Sequence, residues 1–173
     1  MKKSELKNWI RDIPNFPKEG IIFKDLSTLL RNKEAFRKSV DLLAGKFRKQ
    51  RIDFVVGVEA RGFIFGAVLA YKLKAGFVPV RKKGKLPYKT RSITYALEYG
   101  TDTLEVHEDA IAPGSRVVIV DDLLATGGTS KAVIDLIKGQ DAAIVGLAFL
   151  VELKFLKGKE KLKDFPIYSV IKY

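Results

Sequence analysis

The chain contains no cysteine, and this absence excludes two kinds of site. Without thiols there is no disulfide framework and no thiolate metal centre, so a reducing compartment is compatible and a cytoplasmic location is expected. Long hydrophobic runs are also missing, because no segment approaches the roughly 18 apolar residues of a membrane-spanning helix. The first residues carry lysines but no apolar core and no small-residue cleavage site, so neither a secretory signal nor membrane association is expected.

Acidic residues are few relative to basic ones. The chain has 20 Asp and Glu and 32 Lys and Arg, which gives a net charge of +12. Such an excess favours anionic partners such as nucleic acid, acidic lipid or phosphorylated small molecules. The densest basic segment, residues 81–91, has six basic residues and no acid, while the remaining lysines are spread along the chain as expected surface charge. Because no internal repeat or low-complexity linker interrupts the sequence, one domain over residues 1–173 is predicted.

Short apolar runs alternate with amphipathic segments, which predicts an α/β fold with a mostly parallel central sheet flanked by helices. Strands are predicted at 53–58, 76–80, 116–120 and 142–151, with an edge strand near 166–171, and helices at 33–49, 60–73 and 127–138. The alternation on either side of residues 100–102 predicts a β-hairpin or flap. At the N-terminus, a helix over residues 4–11 with Ser4 as its cap is expected before a proline-rich turn.

The stretch RVVIVDDLLATGGTS, residues 116–130, places two acids between a buried strand and a glycine-rich turn. Ligands of an open parallel sheet bind beyond the carboxyl ends of its strands, so this turn is expected at the binding edge. Exposed backbone amides and the positive end of the following helix suit a phosphate dianion, and the threonines add hydroxyls. The residues expected at the phosphate are Ala125, Thr126, Gly127, Gly128 and Thr129.

The two acids need a different part of the ligand, because carboxylates repel a phosphate. We predict that Asp121 and Asp122 accept hydrogen bonds from the vicinal hydroxyls of a sugar, so the ligand is a sugar phosphate with a free diol. Two alternatives remain open, since such acids can also hold a metal ion or cap the helix. The patterns G-x-x-x-x-G-K-[ST] and G-x-G-x-x-G are both absent, which disfavours P-loop and dinucleotide-binding proteins.

The segment VVIVDDLLATGGTS resembles the phosphoribosyl-diphosphate signature of the type I phosphoribosyltransferase family. The blocks GIIFKDLSTLL, GVEARGFIFG, PVRKKGKLPYKT, YALEYG and LVELKFLKGKEKL occur in the order and spacing of family members that use adenine, so the resemblance covers nearly the whole chain. It implies the type I fold, with a small N-terminal hood over about residues 1–32 and a mobile β-flap over about residues 86–108. The implied reaction is purine salvage, in which adenine and 5-phosphoribosyl 1-diphosphate (PRPP) give AMP and diphosphate.

The resemblance also implies residue roles, a homodimer and Mg²⁺ held mainly by substrate and water, with no direct protein ligand. Glu98, on the flap, is expected to handle the proton of adenine, and Asp121 and Asp122 to hold the ribose hydroxyls. Lys82 and Lys83 receive no role and are expected at the surface. The residues expected to contact diphosphate are Glu59, Ala60, Arg61, Arg81 and Lys85. The peptide bond between Glu59 and Ala60 is expected to be cis. The residues expected to contact adenine are Ile22, Phe23, Lys24 and Leu153.

Within the adenine set, Phe23 is expected to stack on the base and Leu153 to cover its other face. Lys24 stands where many relatives have arginine, so a contact through its backbone would tolerate this difference. Two other functions remain compatible with the sequence. A regulator of the same fold that binds nucleic acid would use the positive charge, but no helix-turn-helix segment is recognisable, so nucleic acid is not the expected partner. A transferase for another purine base would share the signature.

Overall fold

The computed structural model describes residues 1–96 and 100–173, which divide into two compact units, Met1–Leu42 and Leu43–Tyr173. The smaller unit contains a 3₁₀ helix (Lys3–Trp9), strands β1 (Arg11–Pro14) and β2 (Ile22–Asp25), and helix α1 (Ser27–Arg31). Helix α2 (Lys33–Phe47) follows, and the chain boundary between the two units falls within it.

In the smaller unit, β1 and β2 form an antiparallel hairpin in which Arg11 lies opposite Asp25. Two ion pairs join the strands: Arg11 Nη2 lies 2.7 Å from Asp25 Oδ2, and Lys24 Nζ lies 2.7 Å from Asp12 Oδ1. The backbone N–H and the hydroxyl of Ser27 donate to the Asp25 carboxylate, and so does Arg11. These hydrogen bonds lower the pKa of Asp25, with those from Ser27 having the larger effect. This short hairpin is therefore stabilised by its charged edges as well as by its backbone ladder.

The predicted N-terminal helix is present, but it ends at Trp9, two residues before the predicted end, and Ser4 is not its cap. The helix is 3₁₀ and begins at Lys3, and its cap residue is Lys2, whose backbone N–H donates to Glu5 Oε2 at 2.8 Å. Arg11 is already part of β1, where pairing with Asp25 holds the backbone extended. Tertiary pairing has thus overridden the local helical preference.

The larger unit contains the strands and helices that carry the central sheet. Its strands are β3 (Phe54–Val58), β4 (Gly76–Lys82), β5 (Thr90–Ala96), β6 (Thr101–His107), β7 (Arg116–Leu124), β8 (Ala143–Glu152) and β9 (Ile167–Lys172), and its helices are α3 (Arg61–Leu73) and α4 (Gly128–Lys138). Among the described residues these strands form one seven-stranded sheet in the order β5-β6-β4-β3-β7-β8-β9. Strands β4, β3, β7, β8 and β9 run parallel, and β6 pairs antiparallel with β4 on one side and with β5 on the other.

The predicted α/β class, with a mostly parallel central sheet flanked by helices, is confirmed. Strands β3, β7 and β8 are almost entirely buried, as expected of parallel strands covered on both faces. The predicted hairpin is confirmed as the β5–β6 pair, in which Ala96 lies opposite Thr101. Glu98 lies outside the described residues, and the mobility of the flap stays a prediction.

Two strand-to-helix connections position the candidate site. Strand β3 leads into α3, which begins at Arg61, and β7 leads into α4, which begins at Gly128. Because β3 and β7 are adjacent and parallel, both helices begin at the same edge of the sheet, with their positive dipole ends there. No helix in the described ranges combines the length and apolar character needed to cross a bilayer.

Strand β7 continues past the predicted end at residue 120 and reaches Leu124. The reason is β8, which stays alongside, with Asp121 opposite Phe149 and pairing that continues to the last residue of β7. On its other side β7 pairs with β3 only as far as Val120. Asp121 and Asp122 are therefore strand residues with a fixed backbone, and they extend beyond the end of β3 toward the first turn of α3.

Candidate functional site

A cavity of about 440 Å³ opens at the carboxyl edge of the parallel strands in the larger unit. Its described lining comes from the ends of β3, β4 and β7, the β5–β6 hairpin and the first turns of α3 and α4. Seven predicted site residues line it: Glu59, Ala60, Arg61, Asp121, Asp122, Ala125 and Thr129. The fold therefore brings together residues that were assigned to a ribose, a 5′-phosphate and a diphosphate from two separate sequence blocks.

The acid pair at the end of β7 is held by short contacts. Asp122 is buried, and its Oδ2 lies 2.7 Å from Nε of Arg61. Asp121 is partly exposed, and its Oδ1 accepts the backbone N–H of Asp122 at 2.8 Å. Nearby protein atoms displace water from the Asp121 carboxylate, and this desolvation, followed by the neighbouring charge of Asp122, raises its pKa well above its ordinary value. Burial also raises the pKa of Asp122, and Arg61 opposes that rise. Hydroxyl donors from a ligand would stabilise both charged forms.

The first turn of α3 packs directly against this acid pair. A Cβ atom at Gly62 would lie 2.9 Å from Asp121 Oδ1 and 3.0 Å from the carbonyl oxygen of Val120. A side chain at this position would therefore displace the carboxylate of Asp121. The sequence around the acids gives no sign of this contact, and the only local signal is the glycine that follows Arg61.

The loop that is predicted to bind phosphate, residues 125–129 (the phosphate loop), follows β7 and continues into the first residues of α4. Gly127 is the N-cap residue of α4, with φ of +80° in the left-handed region that favours glycine. No side chain of the described residues caps this end, so the first backbone amides of the 11-residue helix remain available to an anion. The Thr129 hydroxyl lies 3.3 Å from the hydroxyl of Tyr95, which links the loop to the β5–β6 hairpin.

The basic residues near the cavity are organised by Glu59. Its Oε1 accepts from Arg81 Nη2 at 2.9 Å and its Oε2 accepts the backbone N–H of Lys82 at 3.0 Å, and these two hydrogen bonds lower the pKa of Glu59. Arg81 Nη1 donates to the carbonyl oxygen of Lys85 at 2.9 Å. The predicted cis peptide between Glu59 and Ala60 is confirmed.

Two charged residues at the cavity were missed by the sequence analysis. Lys82 was expected to be a surface lysine without a role, and Asp102 was placed only within the hairpin. Both line the cavity, and Lys82 Nζ lies 3.1 Å from Asp102 Oδ2. Their meeting depends on the register of β6 against β4, in which Lys82 lies opposite Leu104. Local sequence carries no signal for that register.

The residues predicted to contact adenine occur in both units. In the smaller unit, Phe23 packs edge-to-face on Phe16, with ring centroids 5.2 Å apart, and Ile22 is exposed. In the larger unit, Leu153 is buried, and its backbone N–H donates to the carbonyl oxygen of Leu124 at 2.9 Å. The roles of these residues toward a base stay predictions.

Comparison with known proteins identifies the family to which the chain is similar. Residues 25–173 match the model of the phosphoribosyl transferase domain. The adenine phosphoribosyltransferase of Syntrophotalea carbinolica is 60% identical over 169 residues, which cover 98% of this chain and 99% of that protein. The crystal structure of adenine phosphoribosyltransferase from Thermoanaerobacter pseudethanolicus has a TM-score of 0.96 and 51% identity, and covers 99% of this chain and 100% of its own.

A third similar protein was solved with bound ligands. The adenine phosphoribosyltransferase of Saccharomyces cerevisiae was crystallised with D-2,5-dideoxy-2,5-imino-altritol 1,6-bisphosphate and adenine. Its structure has a TM-score of 0.91 and 44% identity, and the match covers 97% of each chain. The similarity thus extends over the full cavity-bearing unit as well as the N-terminal residues.

Proposed function

The chain belongs to the phosphoribosyl transferase family, and on this premise we infer that it transfers the 5-phosphoribosyl group from PRPP to adenine in purine salvage. The products are AMP and diphosphate. The observation that carries the inference is the meeting, in one cavity, of an acid pair and the uncapped N-terminus of α4. The choice of adenine rests on the relatives, which are adenine phosphoribosyltransferases at 44–60% identity over nearly the full chain. Neither the nucleic-acid regulator nor a transferase for another base is favoured.

The sugar phosphate of PRPP is proposed to bind between the phosphate loop and the acid pair. The loop residues Ala125, Thr126, Gly127, Gly128 and Thr129 would hold the 5′-phosphate through backbone amides and hydroxyls. Asp121 and Asp122 would accept hydrogen bonds from the 2′- and 3′-hydroxyls. This proposal is supported by the fixed strand geometry of both acids and by their low solvation, which favours strong charge-assisted hydrogen bonds.

During transfer, the bond from C1 of the ribose to the diphosphate oxygen breaks largely before the bond to N9 of adenine forms. The electron pair leaves with the diphosphate, so negative charge grows on that group while positive charge grows on the ribose. We propose that Arg61, Arg81 and Lys85 stabilise the departing diphosphate, together with the backbone at Ala60. Glu59 would act as a positioning residue, since it holds Arg81 by a 2.9 Å hydrogen bond.

Adenine is proposed to be recognised by Ile22, Phe23, Lys24 and Leu153. Phe23 would stack on the purine, while backbone groups of Ile22 and Lys24 would hydrogen-bond its edge. The ammonium of Lys24 is paired with Asp12 at 2.7 Å, which supports a contact through the Lys24 backbone in place of its side chain. A lysine where relatives have arginine is then compatible with adenine binding.

Mg²⁺ is proposed to enter as part of the substrate, carried by the phosphate oxygens of PRPP and by water. The described residues contain no group of three or more His, Asp or Glu side chains that could hold a metal ion. Asp122 is already paired with Arg61, whose positive charge disfavours a cation at the same carboxylate. When bound, the ion would neutralise part of the diphosphate charge.

Three further assignments stay proposals for the whole protein. Residues 1–173 would act as one domain, with the hood over about residues 1–32 and the flap over about residues 86–108. The protein would be a homodimer, which light scattering of the purified chain would test. The cytoplasmic location stays a prediction from the sequence.

The reaction itself is tested by incubating the purified chain with adenine, PRPP and Mg²⁺. We expect saturable formation of AMP, and much slower product formation with hypoxanthine, guanine or xanthine in parallel assays. A keto oxygen in these bases would face an acceptor where adenine presents its amino group. Salt-sensitive binding to DNA or RNA without any AMP formation would instead support the regulator.

Glu98 is proposed to accept a proton from adenine as N9 becomes bonded to C1 of the ribose. Replacement of Glu98 by glutamine removes the acceptor charge but keeps the side-chain shape, so we expect kcat to fall by about 100-fold. The KM for adenine should change little, because the residue acts mainly after the base is bound. Steady-state kinetics with adenine as the varied substrate measures both quantities.

The matched control is Glu108→Gln, since Glu108 is an exposed glutamate just after β6. It should leave both constants unchanged. Equal losses in kcat and in adenine affinity for the Glu98 variant would argue against a role in proton transfer.

A further inference from the structure

The segment that follows β8 packs its main chain against the phosphate loop. Gly158 is buried and begins a 3₁₀ helix, Gly158–Leu162. A Cβ atom added at Gly158 would overlap the carbonyl oxygen of Ala125 and would lie 3.0 Å from the backbone nitrogen of Gly127. No side chain therefore fits at this position without a shift of the loop or of the 3₁₀ helix.

The contact is reciprocal. A Cβ atom at Gly127 would lie 2.6 Å from the carbonyl oxygen of Gly158. The two glycines thus allow main chain to approach main chain, and backbone atoms cannot rotate away from a clash as the end of a flexible side chain can. Two segments that are distant in sequence are consequently in contact at the turn that precedes α4.

The 3₁₀ helix is anchored on its other side. Leu162 is only 1% exposed and belongs to the same buried cluster as Val133 and Ile137 of α4. Lys159 Nζ lies 3.6 Å from the buried Oε2 of Glu152, at the end of β8. Because these contacts hold the segment in place, Gly158 presents a fixed backbone surface to the phosphate loop.

We propose that Gly158 is a positioning residue for 5′-phosphate binding: its main chain holds the phosphate loop so that the first amides of α4 point at the phosphate. This inference rests on the proposed function, since it assigns a 5′-phosphate to the loop. The loop needs such support for two reasons. No described side chain caps α4, and the backbone of a glycine such as Gly127 can adopt many other conformations. The sequence block LVELKFLKGKEKL contains Gly158 but gives it no role.

The test is Gly158→Ala with Gly45→Ala as its matched control. Gly158 is not among the described glycines with positive φ, so alanine adds a methyl group without backbone strain. A Cβ atom at Gly45, in α2, would meet nothing within 4 Å. We expect the KM for PRPP to rise about 10-fold or more in the Gly158 variant, because a small displacement of binding groups is costly. The KM for adenine should stay unchanged, and Gly45→Ala should match the wild type.

Thermal stabilisation by ribose 5-phosphate supplies a readout that does not depend on turnover. The wild type and Gly45→Ala should both be stabilised, and Gly158→Ala should lose most of the shift. If the wild type makes no AMP but is stabilised by ribose 5-phosphate, the proposed reaction fails while the role of Gly158 is still measured. Absence of a shift in the wild type would overturn the assignment of the loop to a 5′-phosphate and with it the role of Gly158, while AMP formation alone decides the proposed reaction.

A folded Gly158→Ala variant with wild-type KM for PRPP and a wild-type shift would overturn the positioning role. If Gly158→Ala does not fold, Leu162→Ala decides, because it loosens the anchored side of the 3₁₀ helix without adding a clash. The expected result is a several-fold higher KM for PRPP with unchanged KM for adenine. An unchanged KM for PRPP in that variant would refute the proposal.

Discussion

Joint replacement of Asp121 and Asp122 by asparagine is expected to lower kcat/KM for PRPP by about 100- to 10,000-fold while the chain stays folded. Each carboxylate is proposed to accept a charge-assisted hydrogen bond from a ribose hydroxyl, and such bonds contribute about 1.5–3 kcal/mol each. Asparagine keeps the shape of the side chain but loses the charge. Steady-state kinetics with PRPP as the varied substrate, at saturating adenine, measures the loss.

Although replacing the acids should lower activity, Asp121→Asn is expected to raise the free energy of unfolding at neutral pH. The pKa of Asp121 is raised in the folded state, so the folded chain binds more protons than the unfolded chain once the pH exceeds the ordinary aspartate value of about 3.9. The free energy of unfolding therefore falls as the pH rises from there through the raised pKa. Asp121→Asn removes this penalty and should be more stable than the wild type at neutral pH, with the difference vanishing below the ordinary value.

Denaturant unfolding of the wild type and Asp121→Asn across that pH range checks the sign. The exposed Asp109 offers a matched control, since Asp109→Asn should not change activity. Unchanged kcat/KM in a well-folded double variant would refute the assignment of the acids to the ribose. A gain in activity of either acid variant would do the same.

Replacement of Arg61 by methionine is expected to lower kcat/KM for PRPP by about 100- to 1,000-fold. Arg61 is proposed to stabilise the departing diphosphate, and its guanidinium also lies 2.7 Å from the buried carboxylate of Asp122. The variant should therefore lose stability as well, because Asp122 is left buried without its cation. Kinetics and denaturant unfolding of the same preparation separate the two effects.

A double-mutant cycle with Asp122→Asn separates the loss of activity from the loss of stability. In the Asp122→Asn background the stability cost of Arg61→Met should be much smaller, since the carboxylate in direct contact with Arg61 is gone. The activity cost should persist, because the diphosphate still lacks the guanidinium of Arg61. The exposed Arg48 is the control, and Arg48→Met should be neutral in both measurements. If restoring stability also restored activity, Arg61 would be a purely structural partner of Asp122.

Most of the central sheet was predictable because its strands and helices differ in local hydrophobic period. The apolar runs of β3, β7 and β8 and the helical spacing in α2 and α4 are properties of each segment alone. The signature after β7 also predicted a phosphate site from local residues alone, because small residues at a strand end expose backbone amides to a ligand, and that site stays a proposal. These features needed no knowledge of distant contacts.

The errors lie where distant segments decide the local structure. The N-terminal helix ends before Arg11, because Arg11 pairs with Asp25 in the hairpin. Strand β7 extends through both acids because β8 continues beside it. In each case hydrogen bonds to a neighbouring strand outweighed the local pattern, which contained no information about that neighbour.

The sequence by itself determined the fold class, the family and the turn that is proposed to bind phosphate. Only the tertiary structure decided that Arg61 pairs with Asp122, that Lys82 meets Asp102 at the cavity, and that Gly158 lies against the phosphate loop. The physical reason is that side-chain period and turn chemistry act over a few residues, whereas these contacts depend on strand register and on the packing of segments far apart in the chain.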